Sequence, residues 1–200
     1  MVAAALQAAT AAAPRGAIAV QLREKDLNSC ELYELARAVR AQCAAYDAPL
    51  LINDRLDLAL AVEADGVHLT SASVGVTDAR RLLTSTRLIG VSTHQPGEVA
   101  AAAAAGADFA VYGPVYAPLS KAAVGAERGS EGLGAALRAS QGLPLYALGG
   151  ITAQRIRELG GTAALFDPGR PAGVAVIGAV FGVDNPGAAT CELLRALAAW

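Results

Sequence analysis

Two hydrophobic periods take turns along this chain. Short uncharged apolar runs are followed by longer stretches in which apolar residues recur every three or four positions. The first run is Ala17 to Leu22, and the first long amphipathic stretch is Glu31 to Tyr46, with Leu32, Leu35, Ala36, Val39 and Cys43 on one face. The same alternation predicts strands at 49–52, 66–69, 88–92, 109–115, 144–148 and 173–177. Helices are predicted between them at 56–64, 77–83, 97–105, 132–140 and 152–159, with a closing helix over 186–199. Residues 2 to 13 read as a helix before the first strand, ended by Pro14 and Gly16. Strands alternating with helices through short loops imply a parallel sheet wrapped by helices. The count is seven strands and eight helices, so the expected α/β fold is a TIM (β/α)₈ barrel lacking its first strand.

Two glycine-broken strand ends stand out. Pro144 to Leu148 stops at Gly149-Gly150, and Thr152 is placed to cap the helix that follows. The run from Gly173 to Val180 is broken again at Gly178. Bare backbone N–H groups at such turns suit an anion, and the last two strands of a barrel often build a phosphate site together. Two loops are long. Ala117 to Ser130 follows a strand and so belongs to the catalytic rim, whereas Gly160 to Ala172 precedes a strand and belongs to the opposite face.

Composition narrows the picture. Two hundred residues without a low-complexity linker suit a single domain over 1–200. A formal charge of −2 gives no footprint for nucleic acid or an anionic membrane, so any anion site is built locally. No apolar run is long enough for a membrane span, and the alanine-rich start lacks the basic lead of a signal peptide. Cys30, Cys43 and Cys191 are far apart, odd in number and without metal spacing, which suits reduced thiols in a cytoplasmic protein.

Read only at the strand ends, where barrels keep their chemistry, the sequence is selective. Gln21, Arg23 and Lys25 share one side of the first strand by alternation, an amide and two cations suited to a diphosphate. The same residues also fit a solvated turn. Asp54 fits a Mg²⁺ ligand or, taken alone, a cap for the helix at Leu56. His68 lies inside its strand and reads as a hydrogen-bonded core residue, whereas His94 ends the next strand.

Seven segments then occur in order: Gln21-Leu22-Arg23-Glu24-Lys25, Asn53-Asp54-Arg55, Asp65-Gly66-Val67-His68-Leu69, Gly90-Val91-Ser92-Thr93-His94, Gly113-Pro114-Val115-Tyr116, Ser120-Lys121 and Leu148-Gly149-Gly150-Ile151. Together, over nearly the whole chain from about residue 16, they resemble the thiamine phosphate synthase family, which includes a thiazole tautomerase (TenI) branch. The resemblance implies a (β/α)₈ barrel that joins hydroxymethylpyrimidine diphosphate to a thiazole phosphate, releasing pyrophosphate. It implies that Gln21, Arg23 and Lys25 hold the diphosphate or pyrimidine, with Asp54 on Mg²⁺ and Asn53 beside it. Ser92, Ser120 and Lys121 would contact the pyrophosphate, and Gly150 and Gly178 would seat the thiazole phosphate.

Three departures bear on the branch. The synthase pattern continues after Leu69 with Gly-Gln-Glu-Asp, whose Asp is a second Mg²⁺ ligand, but Thr70-Ser71-Ala72-Ser73 stands here. Ser73 therefore weakens the expected metal site and leans toward the tautomerase branch. Pro118 replaces the threonine expected before the Ser120-Lys121 pair, and the first family strand is missing. Against the tautomerase, Pro114 stands where that branch has its characteristic histidine, which leaves His94 as the base. Asp54, Lys121 and the Gln21-Arg23-Lys25 edge favour the synthase. The tautomerase is the alternative, and a non-catalytic barrel that binds a phosphate ligand is the third. The expected partners are the two phosphorylated small molecules, and an open barrel edge calls for cover by the N-terminal helix or by a second copy in a homodimer.

Overall fold

The computed structural model describes residues 1–83, 85–117, 127–161 and 170–199. It opens with α1 (Val2–Ala12) and β1 (Val20–Leu22), followed by α2 (Ser29–Ala45), β2 (Leu50–Asn53), α3 (Leu56–Ala61) and β3 (Gly66–Leu69). Then come α4 (Val76–Leu82), β4 (Leu88–Thr93), α5 (Pro96–Ala104), β5 (Phe109–Tyr112), α6 (Gly129–Ala139) and β6 (Leu145–Leu148). The chain closes with α7 (Ala153–Gly161), β7 (Gly173–Ala175), α8 (Gly178–Phe181) and α9 (Pro186–Leu197). The strands form one sheet in sequence order, every neighbouring pair parallel. This is the expected TIM-barrel-like α/β fold short of one strand. The short α8 was not foreseen, because four residues carry no readable period.

Side-chain alternation sorts each strand into two faces. Leu50 and Ile52, Val67 and Leu69, and Ile89 are buried in one core cluster with Ala36, Val39 and Cys43 of α2. Ala110 and Tyr112, with Leu145 and Ala147, join Leu133, Ile156 and Leu193 in a second cluster. The opposite face is the barrel interior, and it packs bulky side chains against glycines of the neighbouring strand. Gly66 pairs with Leu88, Gly90 with Phe109 and Gly173 with Tyr146. A methyl on Gly90 would lie 2.1 Å from the Phe109 ring, and one on Gly66 would lie 2.2 Å from the Leu88 carbonyl oxygen. Phe109 and Tyr146 then meet edge to face, with ring centroids 5.6 Å apart. These glycines leave room for the residues that fill a sharply curved sheet.

Local chemistry fixes the element ends. Helix α2 begins two residues earlier than its apolar period suggests, because Asn28 caps it. The Asn28 side chain accepts from the N–H groups of Cys30 and Glu31, and Glu31 accepts from the N–H of Asn28. At the N-terminal rim of the sheet, Asp65 accepts from the Leu50 N–H at 2.7 Å and from Arg40 at 3.2 Å. Asp108 does the same for the Ile89 N–H and Arg80, both at 2.6 Å. Asp65 thus serves the fold at the rim away from the predicted chemistry.

Helix α1 spans the two ends of the sheet. Its Leu6 is buried in the first core cluster, while Ala5 packs against the second. Gly187 of α9 lets the two helices approach closely, since a methyl there would sit 3.3 Å from the Ala4 carbonyl oxygen. Helix α1 therefore belongs to the outer, helical layer, packed against α9 and α2. Cys43 is buried, Cys191 half-buried and Cys30 exposed. No helix among the described residues is long and apolar enough to cross a membrane.

Candidate active site

The C-terminal ends of β1 to β7 form one rim, and the predicted residues fall along it. Gln21 donates from Nε2 to Asn53 Oδ1 at 3.2 Å, which ties the ends of β1 and β2 together. The alternation argument reaches no further along β1. The ladder stops at Leu22, and the Glu24 carboxylate turns the chain by accepting from the N–H groups of Lys25 at 2.7 Å and Asp26 at 3.1 Å. Hydrogen bonds from Asp26 and Lys25 hold the Glu24 carboxyl below its usual range. Arg23 and Lys25 are exposed on this turn and have no ion pair among the described residues, so both remain open to an anion.

Asp54 is exposed and left-handed, at φ 65°, with its N–H donating to the His68 carbonyl at 2.9 Å. It does not cap α3. Arg55 occupies the cap position and makes no side-chain cap bond. Its guanidinium is instead held by Asp57, at 2.8 and 2.7 Å, and that bond pulls the Asp57 carboxyl down to about 2. The Asp54 carboxylate thus makes no hydrogen bond or ion pair among the described residues, although it lies close enough to Arg55 to interact electrostatically. No group of three or more His, Cys, Asp or Glu side chains able to hold a metal exists among the described residues. A Mg²⁺ ion tolerates one protein carboxylate when substrate phosphates and water complete its shell, so this donor set fits only a metal that arrives with a diphosphate.

After β3 the chain makes a tight turn. The Thr70 N–H donates to Ser73 Oγ at 2.8 Å, and the Ser73 N–H donates to the Thr70 carbonyl at 3.1 Å. Ser73 therefore closes its own loop. His68 is buried, as a core histidine should be, but its partner is a predicted site residue: Nε2 lies 2.9 Å from Ser92 Oγ. Burial lowers the imidazole from 6.5 to about 4. Folding thus favours neutral His68, while the unfolded chain takes up a proton below about 6.5. That stability is fully present above 6.5 and is lost as pH falls toward 4. The loss amounts to about 3 kcal/mol, at 1.36 kcal/mol for each tenfold. Urea midpoints of wild type and His68→Phe between pH 7 and 4 measure it, and the variant should show the flatter dependence.

His94 directly follows β4 and is exposed, with Nε2 free of a hydrogen bond among the described residues and so still open to act as a base. Its N–H donates to Glu98 and its Nδ1 lies 2.6 Å from the Gly113 carbonyl oxygen. Thr93 is buried and donates to the Val111 carbonyl at 3.1 Å. Beyond Tyr112 the chain leaves the ladder through a cis Gly113-Pro114 peptide and leans on β6. Val115 N–H donates to the Leu148 carbonyl at 2.7 Å, and Tyr116 N–H to that of Gly149 at 3.1 Å. Ser120 and Lys121 lie outside the described residues.

The Gly149-Gly150 turn requires glycine on two counts. Both residues are left-handed, at φ 101° and 58°. A methyl on Gly150 would sit 2.2 Å from the Ala117 carbonyl oxygen and 2.5 Å from Arg155 Nη1. Sequence reading missed Arg155. It donates from Nη1 to the Gly150 carbonyl at 2.5 Å and lies over the Tyr116 ring, 4.6 Å from its centroid. The available signal was its place in the first turn of α7, because helical side chains lean back toward the N-terminus. Thr152 caps that helix as expected, accepting from the Arg155 N–H at 3.2 Å. Register pairs Leu148 with Ala175, so the turn at Gly150 and the start of α8 at Gly178 share one edge. Gly178 and Thr152 line a cavity of about 580 Å³ between α7, α8 and α9.

The family described as thiamine monophosphate synthase matches residues 2–180. The thiamine-phosphate synthase of Moorella thermoacetica is 41% identical over 178 residues, covering 89% of this chain and 81% of that protein. That of Salinispora tropica is 38% identical over 193 residues, covering 96% and 88%. Among solved structures, the thiamine phosphate pyrophosphorylase of Pyrococcus furiosus superposes with a TM-score of 0.81 at 32% identity, over 98% of this chain and 87% of that one.

Proposed function

The chain belongs to the thiamine monophosphate synthase family, and on that premise we propose how it acts as a transferase of thiamine biosynthesis. It condenses hydroxymethylpyrimidine diphosphate with a thiazole phosphate. The C–O bond between the pyrimidine methylene and the diphosphate breaks, and its electron pair leaves with pyrophosphate. The thiazole nitrogen lone pair then forms the new C–N bond, giving thiamine phosphate. The observation that supports this reading is the rim itself: Gln21, Asn53, His68 and Ser92 are linked in pairs at adjacent strand ends, beside Arg23 and Lys25, which have no ion pair among the described residues.

In this reading Gln21 and Asn53 orient the pyrimidine diphosphate, and Arg23 and Lys25 neutralise its charge. Ser92 donates to the departing pyrophosphate, together with Ser120 and Lys121. Gly150 and Gly178 hold the thiazole phosphate on backbone N–H groups, so that its ring nitrogen faces the pyrimidine carbon. Asp54 is the residue that would hold Mg²⁺, which when bound supplies further charge neutralisation to the leaving group. A cytoplasmic location and a homodimer remain compatible proposals.

Incubation with both substrates tests the reading, with and without Mg²⁺. Thiamine phosphate and pyrophosphate should appear together in equal amounts, and only with the metal. Isomerisation of thiazole carboxylate phosphate in EDTA, without condensation, would instead establish the tautomerase. Heat stabilisation by thiazole phosphate with neither reaction would establish a binding protein.

A further inference from the structure

One polar pair on the inner face of the sheet is held more tightly than a core histidine needs. His68 is 4% exposed, with Nε2 at 2.9 Å from Ser92 Oγ. Its ladder partner is Gly90, which pairs in turn with Phe109. With no side chain on Gly90, the Phe109 ring closes over that position and lies 5.8 Å from the His68 ring, tilted 46°. The backbone is pinned as well, since the His68 carbonyl accepts from the Asp54 N–H. The imidazole therefore has one position and one side-chain hydrogen-bond partner among the described residues.

We propose that His68 is a positioning residue: its Nε2–H donates to Ser92 Oγ and turns the Ser92 hydroxyl proton outward, toward the departing diphosphate. This rests on the reading of Ser92 as a pyrophosphate contact. A serine hydroxyl has one proton and two lone pairs and rotates freely when exposed. Once one lone pair accepts from His68, the hydroxyl proton points elsewhere. A donor fixed before charge develops on the leaving oxygen costs no reorganisation during the reaction. The tautomer follows from the same accounting. Nε2 is the ring nitrogen with a side-chain partner among the described residues, so the Nε2–H tautomer is the one that gives the imidazole a donor role toward Ser92. Burial keeps the ring neutral near pH 7, so His68 orients a hydroxyl and supplies no proton of its own.

Two variants and one spectrum test this. His68→Phe fills the ring volume without a donor, and His68→Gln keeps an N–H at about the reach of Nε2. In His68→Phe, kcat should fall about 10- to 100-fold while KM for either substrate moves less than about threefold. His68→Gln should recover most of the loss. Adding Ser92→Ala to His68→Phe should cost nothing beyond Ser92→Ala alone, because both remove one oriented donor. In ¹⁵N NMR at neutral pH, wild-type His68 should carry its proton on Nε2. Losses that multiply, a His68→Gln as impaired as His68→Phe, or a proton on Nδ1 would each overturn the proposal. If Ser92→Ala itself turns over like wild type, the placement of Ser92 is wrong; if Ser92→Ala is impaired and His68→Phe is not, only the role of His68 falls.

Discussion

Gly150→Ala should remove nearly all turnover from this protein, and Gly142→Ala should remove none. Both glycines are left-handed, at φ 58° and 89°. An alanine in that conformation costs about 1–2 kcal/mol at either position. The surroundings differ. Nothing lies within 4 Å of a methyl placed on Gly142, whereas one on Gly150 would meet the Ala117 carbonyl oxygen at 2.2 Å, its carbon at 3.0 Å and Arg155 Nη1 at 2.5 Å. Two of these neighbours are backbone, so relief requires the turn or the segment after β5 to move. That segment leads to Ser120 and Lys121, and misplacement by about 1 Å is worth about 100-fold in rate. The expected result is kcat/KM down by at least about 100-fold in Gly150→Ala, with Tm lower by about 4–10 °C at 2–4 °C per kcal/mol. Gly142→Ala should lose about 2–8 °C, the cost of the left-handed backbone alone, and keep wild-type kinetics. Equal melting temperatures and equal turnover in the two variants would show that Gly150 is a turn residue like any other.

The same turn shows where sequence reading stops. Gly149-Gly150 is visible as punctuation, and the helix after it is visible through Thr152. What the glycines accommodate is not visible, because Ala117 reaches Gly150 across the fold and Arg155 folds back onto both from α7. The end of β5 is similar. An apolar run to Val115 reads as strand, but Pro114 has no N–H, and the Gly113 N–H donates to Thr93 while Val115 and Tyr116 donate to β6. Strand β1 is shorter than its apolar run because, among the described residues, only β2 pairs with it, over Val20 to Leu22. The rim residues were legible for the opposite reason: strand ends are marked locally, by a polar residue following an apolar run. The inner face was not. Gly90 and Phe109 are separated in sequence and meet only through register, and His68 gains a partner in Ser92 by the same route.

Asp54 carries the last prediction, and its backbone dictates how to test it. At φ 65°, with its N–H on the His68 carbonyl, it occupies a conformation that aspartate and asparagine tolerate and alanine does not. Asp54→Ala would mix lost charge with a strained backbone. Asp54→Asn keeps the backbone preference and removes only the charge. If Asp54 holds Mg²⁺, Asp54→Asn should raise the Mg²⁺ concentration needed for half-maximal condensation by about 10- to 100-fold, the scale of one lost charged contact to a bound ion. Its Tm should stay within about 2 °C of wild type. Ser73→Asp should act in the opposite sense. Ser73 Oγ accepts from the Thr70 N–H, and an aspartate oxygen accepts the same bond, so the turn survives. The added carboxylate enters the loop after β3, the strand paired with β2, and the metal requirement should fall by a comparable factor. In Ser73→Asp/Asp54→Asn the two effects should largely cancel. A Mg²⁺ titration that does not move in Asp54→Asn, with turnover intact, would reduce Asp54 to the residue that turns the chain out of β2.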